Sequence, residues 1–235
     1  MAFSGVICAP AKATDNLQGW GVVILHGKSG PGRALEPVAA ALRGAGAKVV
    51  APTMSWANGY RTYEATLDEI SSHIAALRSR GAKHIALVGQ SIGANVALGY
   101  GARRPGVEAI IAISPGHQPD RFLRFTQDSL TRAKQMIADG RGKQVAQFSD
   151  VNQGQAFQTR TTAEAYVSFF DPDGPALMRR NAADLKGAKL LWVVGSRDKA
   201  ARAVVTGGTV INVEGDHRQA GSIAARKTVA WLSQL

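Results

Sequence analysis

Apolar and polar positions alternate between two periods along the chain. Val22-Val23-Ile24-Leu25 is an unbroken apolar run, as expected of a strand buried on both faces. Ala34 to Leu42 reads as a helix ended by Gly44 and Gly46, and Lys48-Val49-Val50-Ala51 as a strand stopped by Pro52. Tyr63, Leu67, Ile70, Ile74 and Leu77 recur at spacings of 4, 3, 4 and 3, which puts them on one face of a helix closed by Gly81. Ile85-Ala86-Leu87-Val88 predicts a strand, followed by a turn and a small-residue helix from Ile92 to Arg103. Ala109 to Ile113 predicts the next strand, ending at Pro115. This alternation points to α/β architecture with a mostly parallel sheet and helices on both faces.

The alternation stops between 116 and about 174. One helix around Leu123 to Ala138 is legible there, then many polar residues and the turn Asp171-Pro172-Asp173-Gly174-Pro175. Too short and polar to bury a core of its own, this stretch is expected to be a small lid insertion over the carboxyl edge of the sheet, within a single domain spanning 1–235. The alternation resumes with a helix near Ala176 to Leu185 and strands at Leu190–Val194 and Val210–Val213. Ala225, Val229 and Leu232 mark a last helix, and Phe3 to Cys8 suggests an edge strand.

Composition narrows the classes. One cysteine, Cys8, excludes a disulfide scaffold and a structural zinc site built on thiolates. No apolar stretch is long enough to predict a membrane span. No signal peptide is visible, which favours a cytoplasmic location, although a trimmed exported protein reads the same. The net charge of +11 raises nucleic acid as a partner. The densest basic region, Arg121 to Lys143, is interrupted by Asp128 and Asp139 and reads as a solvated helical face, so no nucleic acid is expected.

The chemistry centres on Gly89-Gln90-Ser91-Ile92-Gly93, a G-x-S-x-G sequence between a strand and a helix. That context makes a nucleophile elbow, with glycines removing side chains that would collide with the neighbouring strand and helix. Ala94, Ala97 and Gly99 are expected to keep the following helix close to the sheet. A serine nucleophile needs a base. Of five histidines, His26, His117 and His217 follow strand ends, where sites gather in parallel sheets. Asp198 also follows a strand, and the order Ser91, Asp198, His217 selects His217 as base and Asp198 as its orienting acid. The oxyanion needs two donors. The N–H of Ile92 is one; Gly27 or, preferably, Lys28 in the loop His26-Gly27-Lys28-Ser29-Gly30 supplies the other. His26 is read as bonding the loop backbone. Trp56, Tyr60, His117, Phe169 and Phe170 are candidates for lining the substrate site.

Together, His26-Gly27, Gly89 to Gly93, Gly195-Ser196-Arg197-Asp198 and Gly215-Asp216-His217 resemble the α/β-hydrolase superfamily in its compact serine-hydrolase, esterase-like branch. The resemblance implies an eight-stranded, mostly parallel sheet with a lid at 116–174, and no metal or organic cofactor. It implies hydrolysis of a small-molecule acyl substrate, most simply a carboxylic ester, through an acyl-enzyme. A thioesterase or amidase would use the same triad, and a catalytically silent binding protein would share the fold. Oligomeric state is not readable.

Overall fold

The computed structural model describes residues 16–28, 30 and 35–235. In chain order, β1 (Trp20–Leu25), α1 (Glu36–Gly44), β2 (Lys48–Val50), α2 (Tyr63–Ser79), β3 (His84–Ser91), α3 (Ile92–Arg103) and β4 (Ala109–Pro115) alternate as the periodicity predicts. An insert follows: α4 (Pro119–Ala138), β5 (Val145–Asn152), β6 (Gln155–Thr162) and α5 (Ala163–Phe170). The alternation then returns with α6 (Met178–Ala183), β7 (Lys189–Gly195), the single-turn α7 (Lys199–Arg202), β8 (Thr209–Val213) and α8 (Ala220–Leu232).

The main sheet is parallel throughout, in the order β2-β1-β3-β4-β7-β8. Among the described residues it has six strands, not the expected eight. The suggested edge strand Phe3–Cys8 lies outside the described residues. β5 and β6 pair only with each other, as an antiparallel ribbon apart from the sheet.

Apolar runs become central strands because both faces of the sheet are covered. Val23, Leu25, Leu87, Ile110 and Trp192 pack towards α2, α3 and the insert. Val22, Ile24, Val88, Ile111 and Val193 pack towards α1 and α8. The stripe Tyr63, Leu67, Ile70, Ile74 and Leu77 is buried, as its spacing predicts, and Thr62 caps α2 by accepting the Ala65 N–H. Arg121, Arg124, Arg132, Lys134, Arg141 and Lys143 are all exposed, so the densest basic region is a solvated face. Among the described residues, no helix is long and apolar enough to cross a membrane.

The insert contains more regular structure than its polar sequence suggests. β5 and β6 are joined by Gln153-Gly154, both left-handed, with φ of 50° and 83°. That is the paired positive φ of a tight turn whose twist suits a hairpin. Seven of the eight β6 residues are exposed or only partly buried, so the ribbon shows no apolar alternation on that strand.

Candidate active site

Ser91 ends β3 and precedes α3 with φ 56° and ψ −117°, a conformation that costs an L-residue of order 1–3 kcal/mol. Close backbone approach sustains it. A Cβ on Gly89 would fall on the Gly93 carbonyl, and a Cβ on Gly93 on the Leu25 carbonyl of β1. These obstacles are backbone and cannot swing aside, so both glycines meet the requirement expected of them. Ala94 and Ala97 are fully buried. Gly99 differs from expectation: its missing side chain makes room for the Tyr63 phenol of α2 rather than for the sheet.

The loops after β7 and β8 bring Asp198 to His217. Asp198 caps α7, its Oδ1 accepting the Ala201 N–H at 3.0 Å. Its Oδ2 lies 2.7 Å from His217 Nδ1. Burial alone would raise the Asp198 pKa, but the hydrogen bonds from His217 and Ala201 outweigh it and hold the carboxyl below its ordinary value. Asp216 takes no part in this pair; it accepts the N–H groups of Arg218 and Gln219 and so shapes the turn carrying His217. Gln90, the residue between Gly89 and Ser91, donates from Nε2 to the His217 carbonyl at 3.1 Å and ties the histidine loop to the serine strand.

On the other side of Ser91 runs the loop after β1. A Cβ on Gly27 would stand 3.6 Å from the Ser91 Cβ, so this backbone passes directly beside the serine. His26 braces it. Its Nε2 accepts the Met54 N–H at 2.9 Å, which leaves the proton of the neutral ring on Nδ1, donated to the Gly27 carbonyl at 2.7 Å. The Trp56 indole nitrogen, 3.1 Å from the same Nδ1, then packs on the ring without donating to it. Burial lowers the His26 pKa, partly offset by the Gly27 bond and by Glu69. Ile92 opens α3, where the first N–H groups lack intrahelical acceptors.

Residues 19–203 match the sequence model of the family described as serine aminopeptidase, S33. The chain belongs to this family. It is an α/β-hydrolase. A search of curated proteins returns no match. Among solved structures, it is similar to a monoacylglycerol lipase from Paleococcus ferrophilus, with 20% identity, 91% of this chain and 94% of that one covered, and a TM-score of 0.66. A thermostable carboxyl esterase from Bacillus coagulans shares 14% identity over 93% of this chain and 90% of its own, with a TM-score of 0.68. Est1E from Butyrivibrio proteoclasticus, solved with ferulic acid, shares 14% over 93% and 90%, with a TM-score of 0.64. At these identities the likeness is one of fold.

In this hydrolase, Ser91, His217 and Lys28 line two clefts of about 370 and 330 Å³ that share the turn residues Asn152 and Gln153. Ser91 Oγ makes no hydrogen bond among the described residues; such contacts are often long without substrate. The first cleft adds Pro115, His117, Phe122 and Val151; the second adds Gly27, Gln90 and Arg218. Of the lining candidates, His117 alone borders the clefts among the described residues. Its Nε2 donates to the Phe169 carbonyl at 2.9 Å. Burial, reinforced by the nearby Lys28 charge, pushes its pKa well down. Trp56, Tyr60, Phe169 and Phe170 are placed elsewhere. Trp56 packs on His26, while Phe169 and Phe170 are fully buried against Tyr60 and His117. The Phe169 and Phe170 rings also meet Tyr63 of α2 and Tyr166 of their own helix, so they join the insert to the body of the protein.

Three contributors escaped the sequence reading. Gly116 lies over the serine: a Cβ there would stand 2.6 Å from Ser91 Oγ. Phe122 and Gln153 reach the clefts from the insert. Only the positive φ of Gln153 departs from ordinary local structure, and nothing in a polar Gln-Gly pair announces it.

Proposed function

We propose that this hydrolase cleaves carboxylic esters through Ser91, His217 and Asp198. The observation that carries the reading is the 2.7 Å bond between His217 Nδ1 and buried Asp198, on the same cleft as a serine held in a strained elbow. With Nδ1 committed to Asp198, the neutral ring presents Nε2 as a base. His217 takes the Ser91 proton as Oγ attacks the ester carbonyl, then returns it to the leaving alkoxide. The N–H groups of Ile92 and Lys28 take the oxyanion. Water, deprotonated by His217, attacks the acyl-serine; the proton returns to Ser91 and the acid departs. The insert acts as a lid, since its hairpin turn borders both clefts. The names of the neighbours, a monoacylglycerol lipase and a carboxyl esterase, favour an ester as the scissile group.

The family's description favours a second reading, release of an amino-terminal residue from a peptide. An ammonium in the site calls for an available carboxylate. The second cleft is lined by Lys28 and Arg218 with no acidic residue among the described ones. In the first, Asp198 is engaged by His217, and Asp216 accepts two backbone N–H groups on Oδ1 in an exposed turn beside the positive charges of Arg197 and Arg218, which disfavour an ammonium there. The ester reading fits better. Hydrolysis of 4-nitrophenyl acetate by the wild type and its loss in Ser91→Ala are expected; full activity in Ser91→Ala would refute the assignment.

A further inference from the structure

The side chain of Lys28 turns away from water. It is 6% exposed, ion-paired to Asp150 of β5, and donates to the Val151 carbonyl at 2.8 Å. Asp150 is 1% exposed. Besides Lys28 it receives the Tyr60 hydroxyl at 2.7 Å and the Val151 N–H at 2.6 Å. The rings of Phe122 and Phe170 stand 5.2 and 5.4 Å from the ammonium. A buried pair of this kind rarely adds net stability over apolar side chains of the same shape. It does fix geometry, because neither charge can leave its partner inside the protein. Two segments 122 residues apart are thereby joined: the loop passing beside Ser91 and the hairpin whose turn borders both clefts.

We propose that Asp150 is a positioning residue that acts through Lys28, holding the Lys28 backbone N–H at the oxyanion site and the Gln153-Gly154 turn over Ser91 as one unit. This rests on the esterase reading above. The hairpin is then a fixed roof rather than a mobile flap, and reshaping it changes catalysis even where it touches no substrate. Lys28 has two jobs: its backbone faces the reaction and its side chain faces the roof.

The test compares Asp150→Asn with Tyr166→Phe. The second variant removes a different anchor of the same strand, the 2.6 Å bond from the Tyr166 hydroxyl to the Ser149 carbonyl, without touching Lys28. Three quantities are read on each: kcat and KM for 4-nitrophenyl butyrate, the thermal midpoint, and the NMR order parameter of the Lys28 amide. For Asp150→Asn, kcat falls about 100-fold, as for a group displaced by about 1 Å, while KM moves by less than about threefold. The Lys28 order parameter drops from about 0.85 towards 0.6. Tyr166→Phe lowers the midpoint but keeps kcat within about twofold and the Lys28 amide rigid. Equal kcat losses in the two variants at equal loss of midpoint, or an unchanged Lys28 amide in Asp150→Asn, would overturn the proposal. Should Asp150→Asn fail to fold, the double variant Asp150→Leu with Lys28→Met replaces the pair by apolar groups; low kcat in a folded protein supports the proposal and full kcat overturns it. A wild type that cleaves no ester defeats the functional reading, while the order parameter still decides whether Asp150 holds the loop.

Discussion

One added methyl at Gly116 tests whether the space above Ser91 is needed for chemistry. The Cβ of Gly116→Ala would stand 2.6 Å from Ser91 Oγ, 3.3 Å from its Cα and 3.4 Å from its Cβ. Ordinary contact begins near 3.4 Å, so the overlap falls on the hydroxyl and hardly on the backbone. Overpacking of this order costs about 1–3 kcal/mol. The cheapest relief is to turn the hydroxyl away, which relaxes the fold but moves the nucleophile out of line. The cost then appears in the reaction, as a loss of about 5- to 150-fold in kcat/KM. Pre-steady-state release of 4-nitrophenol from 4-nitrophenyl acetate measures the acylation rate, and thermal unfolding of the same samples reports stability, expected to change by less than about 4 °C. Gly44→Ala, whose methyl would meet nothing within 4 Å, serves as the control and should leave acylation unchanged. Wild-type acylation in Gly116→Ala would refute the reasoning, as would an equal loss in Gly44→Ala.

Asp198→Asn should lower kcat by about 10⁴-fold by reversing the tautomer of His217. Its thermal midpoint relative to wild type should also depend on pH. Asp198 has a lowered folded pKa, so it contributes stability above its ordinary value of 3.8 that is lost as pH falls through the folded value; the gap between the two proteins should narrow in acid, and a constant gap would contradict this. His26 and His117, both lowered by burial, contribute stability present above their ordinary value of 6.5 and lost as pH falls through their folded values; the wild-type midpoint should therefore decline as pH drops below that point, unlike that of a His117→Gln, His26→Gln double variant. Gly93→Ala forces a Cβ into the Leu25 carbonyl of β1, and denaturant unfolding should show a loss of more than about 3 kcal/mol.

What the sequence revealed was local or periodic. Val22–Leu25 and Ala109–Ile113 read as buried strands because a sheet covered on both faces demands apolar residues at every position. The elbow was legible because its strain needs glycine at both ends of one short turn, and the pairing of Asp198 with His217 because both follow the carboxyl ends of neighbouring strands. The hairpin was not legible: β6 buries little, so Gln155 to Thr162 carries no apolar alternation, and Gln153 occupies a turn position that more often holds asparagine or glycine. The pairing of Lys28 with Asp150 was not legible either, since burial of a charge is visible only once its distant partner is in place. Phe169 and Phe170 suggested a ligand wall from their place in the insert, but an eight-residue helix has one face to bury and theirs turns inward. The eight-stranded expectation came from resemblance rather than periodicity, and the main sheet has six strands among the described residues.

The central claim is that Ser91 forms the acyl-enzyme. Mixing the protein with excess 4-nitrophenyl acetate, quenching in acid within the first turnover and mapping the peptides by mass spectrometry tests it directly. One acetyl group on Ser91, absent in Ser91→Ala and slow to appear in His217→Ala, is the predicted result. No covalent adduct under conditions of measurable turnover, or an acetyl group on another side chain that survives in Ser91→Ala, would contradict it.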